Sequence, residues 1–434
     1  MSAAPDPLPA HSLWEAATPR GTALERLASV DECDVAVIGA GYTGLSAALH
    51  LCEAGLDAAV VEAAEPGWGA SGRNNGQVIP TLSRPDPDDI VARHGEAGER
   101  FVAMLRDSAS LLFELVRKHG IDAEAEQTGW VQPVHTPGRI RVAERRVRQW
   151  LRYGAPVELL SREEVRAMLG SDAWHGGWQN RSGGHINPLA LARGLARTVA
   201  ASGARIYARS PVSSFERVAE RWIVRAPEGE IRARALILAT NAYTGAFSTS
   251  LAPELAREVV PVLSWQMATQ PLSAEARRTI IPGRQAMSDT RGELHFARYD
   301  ARHRLVTGGA LIAPFDAAAR LKQMVGARLR RLWPQIGAVG FDYVWNGAIG
   351  MTSDYLPRIH RLGPDAYAWV GCNGRAVALS IALGRELAKA VAGTRAQELA
   401  LPFTAPAPLP AHGLLRQLAP LMLAVYRHRD RREL

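Results

Sequence analysis

Three glycines stand in GxGxxG spacing, Gly39-Ala40-Gly41-Tyr42-Thr43-Gly44, and an acid, Glu62, follows 18 residues after the last of them. In a dinucleotide site each glycine serves a different purpose. The first permits a tight turn, the second lets backbone approach a pyrophosphate, and the third lets a helix pack on a strand. The helix opened by such a turn presents free N–H groups and partial positive charge to phosphates. Glu62 can accept hydrogen bonds from ribose hydroxyls and would repel a 2′-phosphate, which disfavours NADP and leaves FAD or NAD. Other chemistries lack their residues. There is no HExxH, CxxC, GxSxG or histidine pair, so no metal is expected, and Cys33, Cys52 and Cys372 are too scattered to form a thiolate site or a disulfide framework.

The elements around the motif have the required order. The apolar run Asp34 to Ile38 predicts a strand, LSAALHLCEAG continues at helical spacing until Gly55, and Ala58 to Val61 predicts a second strand ending at Glu62. Residues 66–84 read as loop, and 96–119, 139–151 and 161–169 as helices. Asn187-Pro188 supplies an N-cap and a first-turn proline for a helix ending at Gly203. Short strands follow, antiparallel ones are expected over 256–310, and a helix over 316–332. Ala366 to Val370 with GCNGRAVALSIALGRELAKAVAG repeats the strand, glycine turn, helix pattern, and 401–412 reads as a proline-rich linker.

A chain of 434 residues, 47% apolar, is long enough for two or three domains and excludes a disordered or fibrous protein. No apolar stretch reaches a membrane span and no signal-peptide pattern opens the chain, so a cytoplasmic protein with reduced thiols is expected. The net charge of +8 is spread along the chain with only 6% aromatics, which does not suit nucleic acid. Arginine replaces lysine almost everywhere; the lysines are Lys118, Lys322 and Lys389.

Taken together, DVAVIGAGYTGLSAALHL with Glu62, GWGASGRNNGQ, ALILATNAY, NGAIGMTSDYLPRI and GCNGRAVALSIALGRELA resemble the D-amino acid oxidase family of FAD-dependent amine and amino-acid oxidoreductases. The resemblance is to its gamma-glutamylputrescine oxidoreductase and pipecolate oxidase-like branch. It implies an α/β fold: a glutathione-reductase-like Rossmann FAD domain assembled from 31–84, 183–250 and 345–400, and an inserted α+β substrate domain of mixed antiparallel sheet from 85–182 and 251–344. Residues 401–434 would be linker and basic tail. By the same resemblance Gly39, Gly41, Tyr42, Thr43 and Gly44 hold the pyrophosphate, and Glu62 with Ala63 the adenosine ribose. Ser71, Gly72, Arg73, Asn74, Asn75 and Gly76 would wrap the flavin, Val212 would touch adenine, and Ala239, Thr240 and Asn241 would close on the phosphates. Asn373, Gly374, Arg375, Ala376 and Val377 would bring a helix N-terminus to the flavin ring, where its dipole stabilises negative charge.

Departures from the family pattern bear on chemistry. Gly76 and Ala348 stand where relatives attach flavin through histidine or cysteine, so non-covalent FAD is expected. Val306 replaces an oxygen-activating lysine, which leaves oxygen or a quinone-type compound as acceptor. Ile349 and Ala378 replace the usual carboxylate clamps, and Arg375 becomes the candidate clamp, a planar fork suited to bidentate pairing. His295 and Tyr299 are further catalytic candidates, with Arg298 a third candidate for lining the site, on a strand whose alternation, if no bulge intervenes, sends the first two to one side and Arg298 to the other. Trp265 and Trp345 read as wall or core, and Asp354 as a turn residue.

These features predict an enzyme that oxidises the C–N bond of an amine or secondary amino acid to an imine. The alternatives are a FAD-bearing subunit without turnover, suggested by the two missing clamps, and a NAD-dependent dehydrogenase. The tail, apolar and then rich in arginine from Arg427 to Arg432, could dock on the protein or lie on an anionic membrane surface, docking being favoured.

Overall fold

The computed structural model describes residues 12–433. Two large sheets organise them. In the nine-stranded sheet, the strand Val30–Ile38 lies between Ala58–Val61 and Glu230–Leu238, parallel to both. Val35, Ala36, Val37 and Ile38 are all buried, the continuous apolar run that a strand covered on both faces requires.

Register decides where this sheet can bind anything. Ile38 is level with Val61 and with Leu238, so the chain leaves three neighbouring strands at one height. Gly39, Glu62 and Ala239 therefore emerge together at the carboxyl edge, the place where open parallel sheets hold ligands. Helices Tyr42–Glu53 and Val377–Val391 pack beside one another over this sheet. Gly384 permits the approach, since a Cβ there would come within 2.6 Å of the Thr43 carbonyl and of Ser46. Two helix N-termini, encoded more than 300 residues apart in sequence, thus open into one cleft.

The eight-stranded sheet runs in the order Phe341–Met351, Val260–Thr269, Leu305–Gly309, Phe296–Tyr299, Ala286–Ser288, Trp130–Pro133, Gly177–Asn180, Val157–Leu160. Its long outer pair is antiparallel from Val260↔Met351 to Thr269↔Phe341. This corrects one domain boundary: 345–351 belongs to the substrate-domain sheet, and the first sheet resumes only at Arg358–Gly363. The flavin-side motif NGAIGM lies on the inserted sheet where that sheet meets the cleft. A second correction concerns 401–412. Phe403–Thr404 forms the edge of the first sheet, so this segment does not leave the FAD domain as a free linker. Helices His412–Leu418 and Met422–Arg432 then return to the substrate domain, held by Arg427 on Glu293 and by Asp430 accepting from the Gly292 N–H. Among the described residues no helix is long and apolar enough to cross a membrane.

Candidate active site

The first wall of the cleft is glycine backbone. Gly39 has φ +104°, a conformation that costs a glycine little, and a Cβ on Gly41 would sit 3.0 Å from Ser71 Oγ. Gly41 and Ala376 cap their helices without side-chain hydrogen bonds of their own, so apart from the Tyr42 N–H, which donates to Ser71 Oγ at 3.1 Å, both helices keep first-turn N–H groups for an anion. Glu62 lies between: Oε2 accepts from the Ala40 N–H at 2.7 Å and Oε1 from the Ala64 N–H at 2.9 Å, which aims the carboxylate into the cleft with lone pairs remaining for hydroxyl donors. Burial pushes its carboxyl above the usual range, against the pull of these N–H groups.

The loop 66–76 forms the second wall, and indoles fix its shape. Trp14 Nε1 donates to the Asn74 carbonyl and Trp345 Nε1 to the Arg73 carbonyl, each at 2.8 Å, with the two rings edge to face at 5.9 Å. Arg298 Nε donates to the Asn75 carbonyl at 2.7 Å, and its Nη2 to that of Ile186 at 2.8 Å. Asn74 Oδ1 accepts from the Gly76 N–H at 2.7 Å. Arg73 Nε donates to the Asn346 carbonyl, which ties the loop to the inserted sheet.

Most of the residues expected to hold the dinucleotide line this cleft: Gly39, Gly41, Tyr42, Thr43, Glu62, Ala63, Ser71, Arg73, Asn74, Asn75, Val212, Ala239, Thr240, Asn241, Gly374, Arg375, Ala376 and Val377. Four do not, three of them for steric reasons. A Cβ on Gly44 would stand 1.9 Å from the Gly39 carbonyl oxygen, on Gly72 2.2 Å from that of Gly67, and on Gly76 2.1 Å from that of Ile186; these glycines permit packing rather than touch a ligand. Asn373, at φ +47°, donates to Thr352 Oγ1 and the Gly371 carbonyl and holds the turn from behind. Sequence reasoning missed Trp68, Tyr243 and Phe247, an aromatic group on the cleft wall, together with Gln77 and Gln266. Isolated aromatic and amide residues carry no spacing signal that could have found them. Gln77 Oε1 and Gln266 Oε1 are buried acceptors with no donor among the described residues, and ribityl hydroxyls or a ring imide N–H would satisfy them. Glycine cradle, paired helix ends, carboxylate and orphaned acceptors all fit FAD.

The cleft opens into a cavity of about 1660 Å³ between the sheets. Asn75, Gln77, Ile79, Ala348, Ile349, Gly374 and Arg375 line both. Arg375 is only 6% exposed; its Nη1 donates to Thr81 Oγ1 at 3.2 Å and to the Leu82 carbonyl at 3.0 Å, and its guanidinium lies 4.9 Å from the Trp130 ring centroid. Among the described residues no carboxylate lies within ion-pair distance of it. Burial pushes this guanidinium down to about 9, which leaves it charged at neutral pH.

Two catalytic candidates are corrected. Tyr299 is buried in the substrate-domain core with its hydroxyl donating to the Ile280 carbonyl, and it lines neither cavity. His295 is buried beside Asp289, burial and neighbouring arginines push it far below the usual imidazole range, and it also lines neither. The neighbours on the same strand take those places instead: Phe296 lines the cavity and Arg298 bonds the flavin loop. Asp354 is a turn residue, paired with Arg93 and Arg358.

A doubly wound parallel sheet with this cradle at its carboxyl edge, joined to an antiparallel substrate domain, defines a dinucleotide-dependent oxidoreductase. The FAD dependent oxidoreductase family model, DAO, matches residues 34–390, and the chain belongs to that family. It is 33% identical over 363 residues to gamma-glutamylputrescine oxidoreductase of Escherichia coli (strain K12), across 83% of this chain and 84% of that protein. It is 29% identical over 390 residues to a probable oxidoreductase, OrdL, of Rhizobium meliloti (strain 1021), across 89% of each. Among solved structures, glycine oxidase from Geobacillus kaustophilus aligns at TM-score 0.70 and 20% identity, over 83% of this chain and 95% of that one. L-amino acid deaminase from Proteus vulgaris aligns at TM-score 0.70 and 19% identity, over 93% and 98%. These structural likenesses carry the fold. FAD is the cofactor, and the NAD-dependent alternative falls.

Proposed function

We propose that the substrate is an amine bearing a carboxylate, an amino acid or N-substituted amino acid, and that Arg375 binds the carboxylate. The chain is a FAD-dependent oxidoreductase of amine or amino-acid C–N bonds, the chemistry of its family. The observation that carries the carboxylate is the buried guanidinium at the junction of cleft and cavity, which has no carboxylate within ion-pair distance among the described residues. A buried cation with no direct ion-pair partner favours an anionic partner and disfavours a second cation. The same field therefore lowers the pKa of the substrate's ammonium and helps deliver the neutral amine. Ile79, Ala348 and Ile349 add apolar surface that acts in the same direction. Bound FAD would supply the hydride-accepting chemistry for the carbon beside nitrogen. Arg375 meanwhile orients that carbon, and Thr81 with the Leu82 carbonyl holds Arg375.

Non-covalent FAD follows from Gly76 and Ala348, neither of which offers a nucleophile. The electron acceptor would be oxygen or a quinone-type compound. None of the three lysines lines either cavity, and Val306 is buried with Trp14 and Trp345, which favours the quinone type. Three unpaired cysteines suit a reducing compartment such as the cytoplasm. Anaerobic titration of the yellow protein with carboxylated and carboxylate-free amines tests the reading. Bleaching of the flavin band by the first group and not the second is expected; bleaching only by carboxylate-free amines would refute it. If no amine bleaches the band, a FAD-bearing subunit without turnover is left.

A further inference from the structure

Exposed apolar side chains collect in one place on this molecule. Among the described residues thirteen large apolar side chains are exposed, and nine of them stand on or beside the rim of the 1660 Å³ cavity. Six belong to the C-terminal segment. Leu415, Leu418 and Met422 turn toward the cavity, whereas Leu414, Leu421 and Val425, exposed by 56%, 52% and 55%, do not line it and follow one another at near-helical spacing as a stripe. Phe315, 69% exposed, lies on the loop that receives Arg427 through the Ala310 carbonyl. An apolar concentration of this kind, beside a functional opening, marks a contact surface rather than incidental exposure.

The charges around it select the partner. Arg416, Arg431 and Arg432 are exposed and have no ion-pair partner among the described residues. The carboxylates of the same segment are already engaged, Glu433 by Arg139 and Asp430 by the Gly292 N–H. We infer that the rim of the substrate cavity, led by the C-terminal segment, docks on an anionic lipid bilayer, with Leu414, Leu421 and Val425 entering the interface and the three arginines meeting lipid phosphates. A second copy fits less well, because a self-complementary contact would press the unpaired arginines of two tails together. On a bilayer the cavity opens toward the acyl layer, where lipid-soluble quinones reside. The docking does not depend on which amine is oxidised, nor on Arg375.

Flotation of the FAD-loaded protein with vesicles of phosphatidylglycerol and phosphatidylcholine tests this. The protein is expected to float with the mixed vesicles, weakly with phosphatidylcholine alone, and less in high salt. The variant Leu414→Glu/Leu421→Glu/Val425→Glu should weaken partitioning by about tenfold or more while leaving the flavin spectrum and its reduction by amine unchanged. Arg416→Glu/Arg431→Glu should abolish the preference for anionic vesicles. Absence of flotation with both vesicles, or flotation indifferent to both variants, would overturn the inference. A dimer in light scattering that the triple variant dissociates would give the stripe to a second copy instead.

Discussion

Arg375→Ala separates a substrate clamp from a structural arginine. The wild-type guanidinium is held by Thr81 and the Leu82 carbonyl and stacked near Trp130, so little side-chain freedom remains to be lost when a carboxylate arrives. Removing one member of a buried charge pair costs roughly 2–5 kcal/mol. With Arg375 preorganised but facing a solvated cavity, about 3 kcal/mol is reasonable, equivalent to about 150-fold in kcat/KM. The assay is the rate of anaerobic flavin bleaching at limiting substrate, with a carboxylated amine and its carboxylate-free counterpart, in wild type and variant. The variant should lose about 150-fold on the first and less than about threefold on the second, because the counterpart has nothing for the guanidinium to pair with. Damage to the fold or to FAD binding would reduce both rates equally, so the ratio isolates the contact. Equal losses on both substrates would refute the clamp. Arg375→Lys keeps the charge but not the fork and should fall between.

Three further outcomes are expected. Glu62→Ala removes the carboxylate set between the Ala40 and Ala64 N–H groups and should weaken FAD by about tenfold or more, measured by flavin retention on gel filtration, with little effect on the refilled enzyme's rate. Gly44→Ala places a methyl 1.9 Å from a carbonyl oxygen and should destabilise the FAD-free protein by about 3 kcal/mol or more, seen as a lower urea midpoint; unchanged stability would contradict the packing role. His185, buried in the short strand against Gln77–Val78, has its imidazole pushed down to about 3 by burial and by Arg298. An unfolded histidine takes its proton near 6.5, so between that pH and about 3 the unfolded state binds a proton that the native state refuses, and stability falls as pH falls through this window. From pH 7 to 5 the wild type should lose about 2 kcal/mol more than His185→Gln, which still donates to the Arg284 carbonyl. Parallel urea midpoints for the two proteins would contradict the assignment.

Sequence by itself determined what neighbours along the chain can encode. The glycine turn, the acid after the second strand, the repeat of strand, turn and helix near the C-terminus, and the capped helix at Asn187-Pro188 depend on backbone conformations and caps within a few residues, and each lies where its spacing indicated. Tertiary structure decided whatever depends on contact between distant segments. The parity of the strand before Tyr299 was legible, but both of its faces meet protein, so only packing made Phe296 line the cavity, turned Arg298 to the flavin loop and put Tyr299 in the core. The indoles of Trp14 and Trp345 pin adjacent carbonyls of the flavin loop from opposite ends of the chain, a pairing no spacing announces. Arg375 acquires its meaning in the same way: nearly 300 residues separate it from Thr81 and Leu82, and that no carboxylate among the described residues reaches ion-pair distance becomes visible only when the segments around it are assembled. A turn is written in local dihedral preferences, whereas the field around a buried charge is the sum of everything folded against it.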